Sequence, residues 1–291
     1  MNIRLPHDYA DELLRLAVPH EDVDGVLASA PEPGTEAWEV LERCVSALVS
    51  TMGDPEADPG PLLDPPHPYF YTHVYAATAP FTRAYHRERG VPADVSWATL
   101  ADLGRHMAIH RARYGTGGVH APWWHRLAYR GLLFDLGRLQ FERVRLRERT
   151  ARAVRAAGVE FGQDDLALSV HIPRFRGPFT PEACDAAFER AKAFFPEHFP
   201  ERRHDVAICD SWLLDDQLAE YLTEESNIVR FQRRFHQEFK REEDGGVVEF
   251  VFGRTLPVDE MPRRTTLERA VGDHLRAGRT WHGTVGWLSL K

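Results

Sequence analysis

Lysine is almost missing from this 291-residue chain: Lys192, Lys240 and Lys291 are the only three, and arginine supplies the rest of the 36 basic residues. Arginine is so frequent that a single one carries little information, a bias that fits GC-rich coding. Cysteine is scarce too. Cys44, Cys184 and Cys209 are odd in number and show no CxxC spacing, which points to buried free thiols in a reducing compartment. No run of about 18 apolar residues occurs, so no helix of a spanning kind is expected. The first residues, MNIRLPHDYADELL, lack the apolar core of a signal peptide. A soluble, cytoplasmic protein is the expectation. Phosphate-loop and dinucleotide fingerprints (GxxxxGK[ST], GxGxxG) are missing, and Ser211 has no GxSxG around it, which argues against a serine hydrolase. The net charge of −8 counts against a nucleic acid as main partner, because backbone binding needs clustered positive charge. The basic stretches Arg143–Arg149 and Arg230–Phe235 read as solvated faces.

What is present divides the chain in two. Apolar residues make up 43%, enough for a core in one large or two medium domains. The first part has helical periodicity. Asp8 is placed to cap a helix, and Trp38, Leu41, Val45, Leu48 and Met52 recur every three or four residues. A proline-rich loop spans 53–68. Phe70 to Tyr85 resumes helical spacing, with Pro80 expected to kink or split it and Gly90 to stop it. Ser96 reads as the cap of a helix ending at Gly115. From about residue 128 the period changes. A strand is expected in the stretch around Gly137, with a bulge or kink there, a continuing helix being the competing reading; further strands are expected in LALSVHIP, VAICDSWLL, NIVRFQRRF, VVEFVFG and GTVGWLSL. Helices are expected near 181–195, 215–222 and 265–277. The expected class is α+β, with an all-α domain over 1–128 and a mixed α/β domain over 129–291.

Four groups of residues carry candidate chemistry. The first is the turn after Val170, with His171, Arg174, Arg176 and Gly177. There Thr180 caps the next helix, Pro181 suits its first position and Glu182 its first turn. Free N–H groups at such a helix start attract an anion, although an ordinary capped helix has the same sequence. The second is Asp210 and Ser211, polar residues at the end of an apolar strand, offering a general base and an orienting hydroxyl. Asp210 or Asp215 also suits a plain capping role. The third is Asp102, His106 and His110, spaced by four on one helix. That spacing allows a metal site, but a satisfied helix histidine is the simpler reading, and no metal is expected. The fourth is Trp123 and Trp124, which suit either an apolar substrate pocket or packing.

These segments resemble a known family. LADLGRHMAIHRARYG, RGLLFDLGRLQFE, VHIPRFRGPFTPEACD, CDSWLLDDQL, SNIVRFQRRF and HLRAGRTWHGTVGW resemble a bacterial acyltransferase family in which a helical N-acyltransferase N-terminal domain precedes a GNAT-like C-terminal domain. The resemblance implies a central sheet splayed open, with acyl-CoA (acetyl-CoA or longer) as co-substrate in the cleft. Its pyrophosphate falls on Arg174, Arg176, Gly177 and Thr180. Against the (Q/R)-x-x-G-x-(G/A) signature of GNAT enzymes, the turn has Gly177 alone, and Pro178 removes one donor, leaving Arg176 to compensate. Catalytic groups implied are His171, Asp210, Ser211 and Tyr221. Arg138, Gln140 and Glu142 alternate on one strand and, with Trp124, are candidates to face the acceptor. The implied activity is acyl transfer from acyl-CoA to the amine of a small molecule or peptide, with no nucleic-acid or membrane partner. The alternative is a non-catalytic, GNAT-shaped ligand-binding or interaction protein.

Overall fold

The computed structural model describes residues 3–291, in two compact units that meet between Leu136 and Gly137. The first unit is helical: α1 (Tyr9–Arg15), α2 (His20–Ala28), α3 (Glu36–Ser50), α4 (Phe70–Glu88), α5 (Ala93–Leu100), α6 (Asp102–Tyr114) and α7 (Pro122–Tyr129), with a short strand β1 (Leu133–Asp135) at its end. Its core gathers Leu41, Val45 and Leu48 of α3 with Val74 and Tyr75 of α4 and Leu103 and Met107 of α6. Gly104 sets how closely α6 approaches the end of α1: a Cβ there would lie 2.0 Å from the Ala17 carbonyl group. The proline-rich loop is held by Arg130, whose Nη2 donates to the carbonyls of Asp54 at 2.8 Å and Ala57 at 2.6 Å.

Four expectations for this unit need correction. Helix α4 runs through Pro80 unbroken, with the ring at an exposed position. Ser96 caps nothing: it lies inside α5, buried, with its hydroxyl 2.8 Å from Nδ1 of His86. The helix expected from there to Gly115 is two helices, broken at Ala101. Asp8 precedes α1 but makes no side-chain cap bond; its carboxylate pairs with His7 instead.

The second unit contains β2 (Gln140–Val144), α8 (Glu148–Ala156), β3 (Ala167–His171), α9 (Pro181–His198), β4 (Val206–Ser211), α10 (Asn227–Gln232), β5 (His236–Glu242), α11 (Asp244–Phe252), α12 (Thr266–Arg276) and β6 (His282–Ser289). Its strands are ordered β2-β3-β4-β6-β5. Gly137, at φ 114°, interrupts the extended chain between β1 and β2, as its position in the sequence suggested. One face of the sheet packs Ala167, Val206 and Trp287 against Ala151 and Val154 of α8. On the other face Phe141 meets Phe188 and Phe195 of α9.

Two expected strands are helices. NIVRFQRRF forms α10, started by Ser226, whose Oγ accepts from the Val229 N–H. VVEFVFG lies in α11, ended by Gly253 at φ 76°. Both are short apolar runs in which periodicity does not separate strand from helix. Conversely, β5 has the charged sequence HQEFKRE and pairs only with β6. Edge strands carry such charge against further pairing, and it erases the apolar alternation that marks a strand.

Candidate active site

The centre of the second unit is the junction of its two parallel strands. β3 and β4 are in register only at Leu168↔Ala207 and Ser169↔Ile208. β3 continues to His171, paired with β2, and β4 continues to Ser211, paired with β6. The ladder between β3 and β4 therefore stops while both strands go on. This is a splayed sheet, and the facing edges past Ser169 and Ile208 offer backbone donors and acceptors to a ligand rather than to each other.

On the β2 side of the splay, register joins residues that sequence keeps far apart. Gln140 lies opposite His171 and Glu142 opposite Ser169, so these four side chains share one face. Nε2 of His171 is 2.9 Å from Oε2 of Glu142, with the side chains 25% and 17% exposed. A ring N–H donating to this carboxylate fixes the imidazole tautomer and leaves the lone pair on Nδ1, the arrangement a general base needs. Gln140 is buried, and its Nε2 has no hydrogen-bond partner. A buried, unsatisfied amide donor is costly and is the kind of group a ligand satisfies.

The turn from Ile172 to Thr180 leads from this pair to α9. Thr180 caps that helix, its Oγ1 accepting from the Ala183 N–H at 3.2 Å, with Pro181 in the first turn. Gly177 has φ 77°, and a Cβ there would meet nothing within 4 Å. Two guanidiniums converge on the turn. Arg176 Nε donates to the Gly137 carbonyl at 3.3 Å. Arg138 Nη1 donates to the Pro173 carbonyl at 3.0 Å, and its guanidinium lies 4.8 Å over the Phe179 ring. Burial lowers the pKa of Arg138, the repulsion of nearby Arg176 adding to it. Its Nε is buried without a partner. Two cations close together with an unused donor fit an anion better than they fit each other. Arg174 stands exposed on the same turn.

The other sequence candidates sit in different surroundings. Asp210 is half exposed and pairs with Arg241 at 2.6 Å. Ser211 accepts the Leu213 N–H at 3.1 Å. Asp215 caps the 3-10 turn after it, accepting from the Gln217 N–H at 3.1 Å. The Tyr221 hydroxyl is 3.0 Å from Nδ1 of His274, and its ring packs in a cluster with Trp281 that also takes in Ile172, the neighbour of His171. Trp124 belongs to the first unit, where Nε1 donates to Asp102 at 3.0 Å and the ring stacks on His106.

Asp102, His106 and His110 do not form a metal centre. Nδ1 of His110 is 3.1 Å from the Thr116 carbonyl oxygen, and among the described residues no group of three or more His, Cys, Asp or Glu side chains is placed to hold a metal. Burial alone raises the Asp102 carboxyl, but His106, Arg105 and Trp124 outweigh it, so its pKa is lowered. Burial pushes all three thiols up, Cys184 to about 11, which leaves little thiolate for nucleophilic chemistry. Also among the described residues, no helix is long and apolar enough to cross a membrane.

Residues 7–131 match the N-acyltransferase N-terminal domain, and residues 133–288 match the GNAT-like C-terminal domain. The chain belongs to the GNAT-like N-acyltransferases. Solved acyltransferases agree with this. An acyltransferase in complex with decanoyl-CoA is 38% identical, with a TM-score of 0.87 over 100% of this chain and 91% of its own. An acyltransferase in complex with CoA and 10C-teicoplanin is 40% identical, with a TM-score of 0.86 over 99% of this chain and 90% of its own. A mutant acyltransferase with octanoyl-CoA matches at the same identity, TM-score and coverage. No curated protein matches the chain significantly. For a GNAT-like acyltransferase, the splay between β3 and β4 is the expected cleft. The pairing of Glu142 with His171 was beyond sequence reasoning, because it depends on the register of two strands 29 residues apart. The alternation of Gln140 and Glu142 was its one visible trace.

Proposed function

We propose that this chain transfers an aliphatic acyl group from acyl-CoA to an amine of a glycopeptide-type acceptor. The observation that carries the reading is the likeness to acyltransferases in complex with octanoyl- and decanoyl-CoA and teicoplanin at 38–40% identity. The residues of the splay fit such a substrate: the facing edges of β3 and β4 are free for an extended amide-bearing chain, and Arg138, Arg176 and the capped start of α9 suit phosphate.

In this reading the CoA phosphates lie on the turn from Arg174 through Arg176 and Gly177 to Thr180, with Arg138 beside them. His171, held by Glu142, takes a proton from the acceptor ammonium or amine. The amine nitrogen attacks the thioester carbonyl, a C–N bond forms, the C–S bond breaks, and the CoA sulfur takes up the proton held by His171 and leaves as the thiol. Backbone N–H groups on the splayed edge stabilise the oxyanion, and Gln140 donates to the bound substrate. On the β4 side, Asp210 is paired with Arg241 and Tyr221 with His274, so they and Ser211 take no step in this reading. The test is direct. Protein mixed with decanoyl-CoA and an amine-bearing teicoplanin-type glycopeptide should release CoA thiol only when both are present, with the acceptor gaining the mass of one decanoyl group. Tight decanoyl-CoA binding without acceptor-dependent thiol release would instead support the non-catalytic, GNAT-shaped binding protein.

A further inference from the structure

The helical unit holds a second feature, distinct from the splayed strands: an apolar cavity of about 270 Å³. Its walls come from Cys44 and Leu48 of α3, Leu62 and Leu63 of the proline-rich loop, and Tyr71 and Val74 of α4. Tyr75 lies there too, yet neither phenol is left for a ligand. Tyr71 donates its hydroxyl to the Leu63 carbonyl at 2.5 Å, and Tyr75 donates to the Pro122 carbonyl. No carboxylate, amide or imidazole side chain lines the space; its only charges are the guanidiniums of Arg43 and Arg126. Arg126 Nη2 donates to the Asp58 carboxylate at 3.5 Å, and that carboxylate is 85% exposed. The space is open on one side, and water gains few hydrogen bonds along such walls, whereas an apolar chain gains contacts with them. Two cations of one sign select an electronegative end group.

We propose that this cavity seats a linear aliphatic acyl chain, its carbonyl or carboxylate end towards Arg43 or Arg126. The seat is a property of the helical unit and does not rest on the activity proposed above.

Cys44 provides the readout. It is a partly exposed thiol in the wall, whereas Cys184 and Cys209 are buried in the second unit and serve as internal controls. Maleimide modification of Cys44 in the full chain is followed by peptide mass, at alkaline pH because burial raises its pKa. Dodecanoic acid should slow Cys44 modification saturably, by about tenfold once the free acid is about ten times its dissociation constant. Butanoic acid should not. Ala47→Trp, which fills the cavity from α3, should remove the protection while the melting temperature shows a folded chain. Arg43→Glu, at an exposed position, should weaken protection by dodecanoate more than by dodecanol, with the melting temperature again showing a folded chain. Dodecanoyl-CoA and CoA identify the source of the chain. Protection by the acid assigns a free fatty acid, and protection by the thioester alone assigns the tail of an acyl donor; each supports the seat. Equal protection by CoA itself, no saturable protection by any long chain, or protection that survives Ala47→Trp would overturn it. Because no acceptor is present, these outcomes are independent of turnover.

Discussion

The pairing of Glu142 with His171 makes a quantitative prediction. His171→Ala deletes the proposed base, and general-base catalysis contributes about 10²–10⁴-fold in rate. Glu142→Gln keeps the shape and loses the charge. A hydrogen bond to a charged group is worth about 1.5–3 kcal/mol, and the pair is partly open to solvent, at 25% and 17% exposure, so the lower end applies. At about 1.4 kcal/mol per decade, that is roughly a tenfold loss in kcat. Since Glu142 is argued to act through His171, it should matter only while His171 is present. The double variant should be no slower than His171→Ala alone, the non-additivity expected of groups in one network. The assay is thiol release at saturating decanoyl-CoA and acceptor, with CoA affinity measured by calorimetry on the same proteins. Unchanged CoA affinity with the kcat pattern just described supports the assignment. A His171→Ala enzyme within about threefold of the parent is far below the range for a lost base and refutes it. So does a Glu142→Gln penalty of equal size in both backgrounds, which would make Glu142 a separate contributor and not the carboxylate that orients the imidazole.

Arg138→Ala should weaken CoA binding by about 10- to 100-fold, the range for one hydrogen bond to a charged group, and Arg176→Ala similarly; calorimetry showing unchanged affinity for both would remove the anion from this turn. Gly104→Ala should destabilise the helical unit by about 1–3 kcal/mol through overpacking, because the new Cβ would overlap the Ala17 carbonyl group; an unaltered urea midpoint would contradict that close approach. Burial holds His73 and His86 at about 4 and His125 at about 3. In the unfolded chain each titrates near pH 6.5, so between about pH 6.5 and 4 the unfolded state binds the extra protons and stability falls with acidification. Each histidine contributes up to about 1.4 kcal/mol per pH unit in that window, and His125→Phe should flatten the slope by up to one such increment in urea titrations.

How much of this was legible in the sequence differs from element to element. The 3-and-4 spacing of Trp38, Leu41, Val45 and Leu48 identifies α3 because one face of it is buried and the other is not. Thr180, Pro181 and Glu182 identify the start of α9 because capping is local chemistry, settled within four residues. Where burial is decided by distant partners, the pattern fails. Val247 and Val248 read as strand, yet both are buried in a helix, Val247 in one cluster with Val271 and Trp281. His236–Glu242 reads as nothing, because an edge strand needs no apolar face.

The site divides along the same line. His171, Arg176 and Thr180 are adjacent in sequence to the turn they serve, so strand, turn and cap together point at them. Glu142 and Gln140 reach His171 only through the β2–β3 register. Arg138 follows Gly137, at φ 114°, and reaches the turn across 35 residues of sequence to donate to the Pro173 carbonyl. What the fold adds is the guanidinium of Arg138, brought from another part of the chain to the turn that has one glycine and Pro178 where the GNAT signature has small residues; we propose that it replaces the donors missing there. A backbone cradle needs small residues so that the phosphate can approach the main chain. A long side chain delivering its donors from outside relaxes that need. If this substitution is how the turn binds its anion, restoring a glycine at position 178 should compensate in part for loss of Arg138. CoA affinity should be lower in Arg138→Ala than in the double variant with Pro178→Gly, and an equal affinity in the two would mean that the turn backbone takes no part in holding the phosphate.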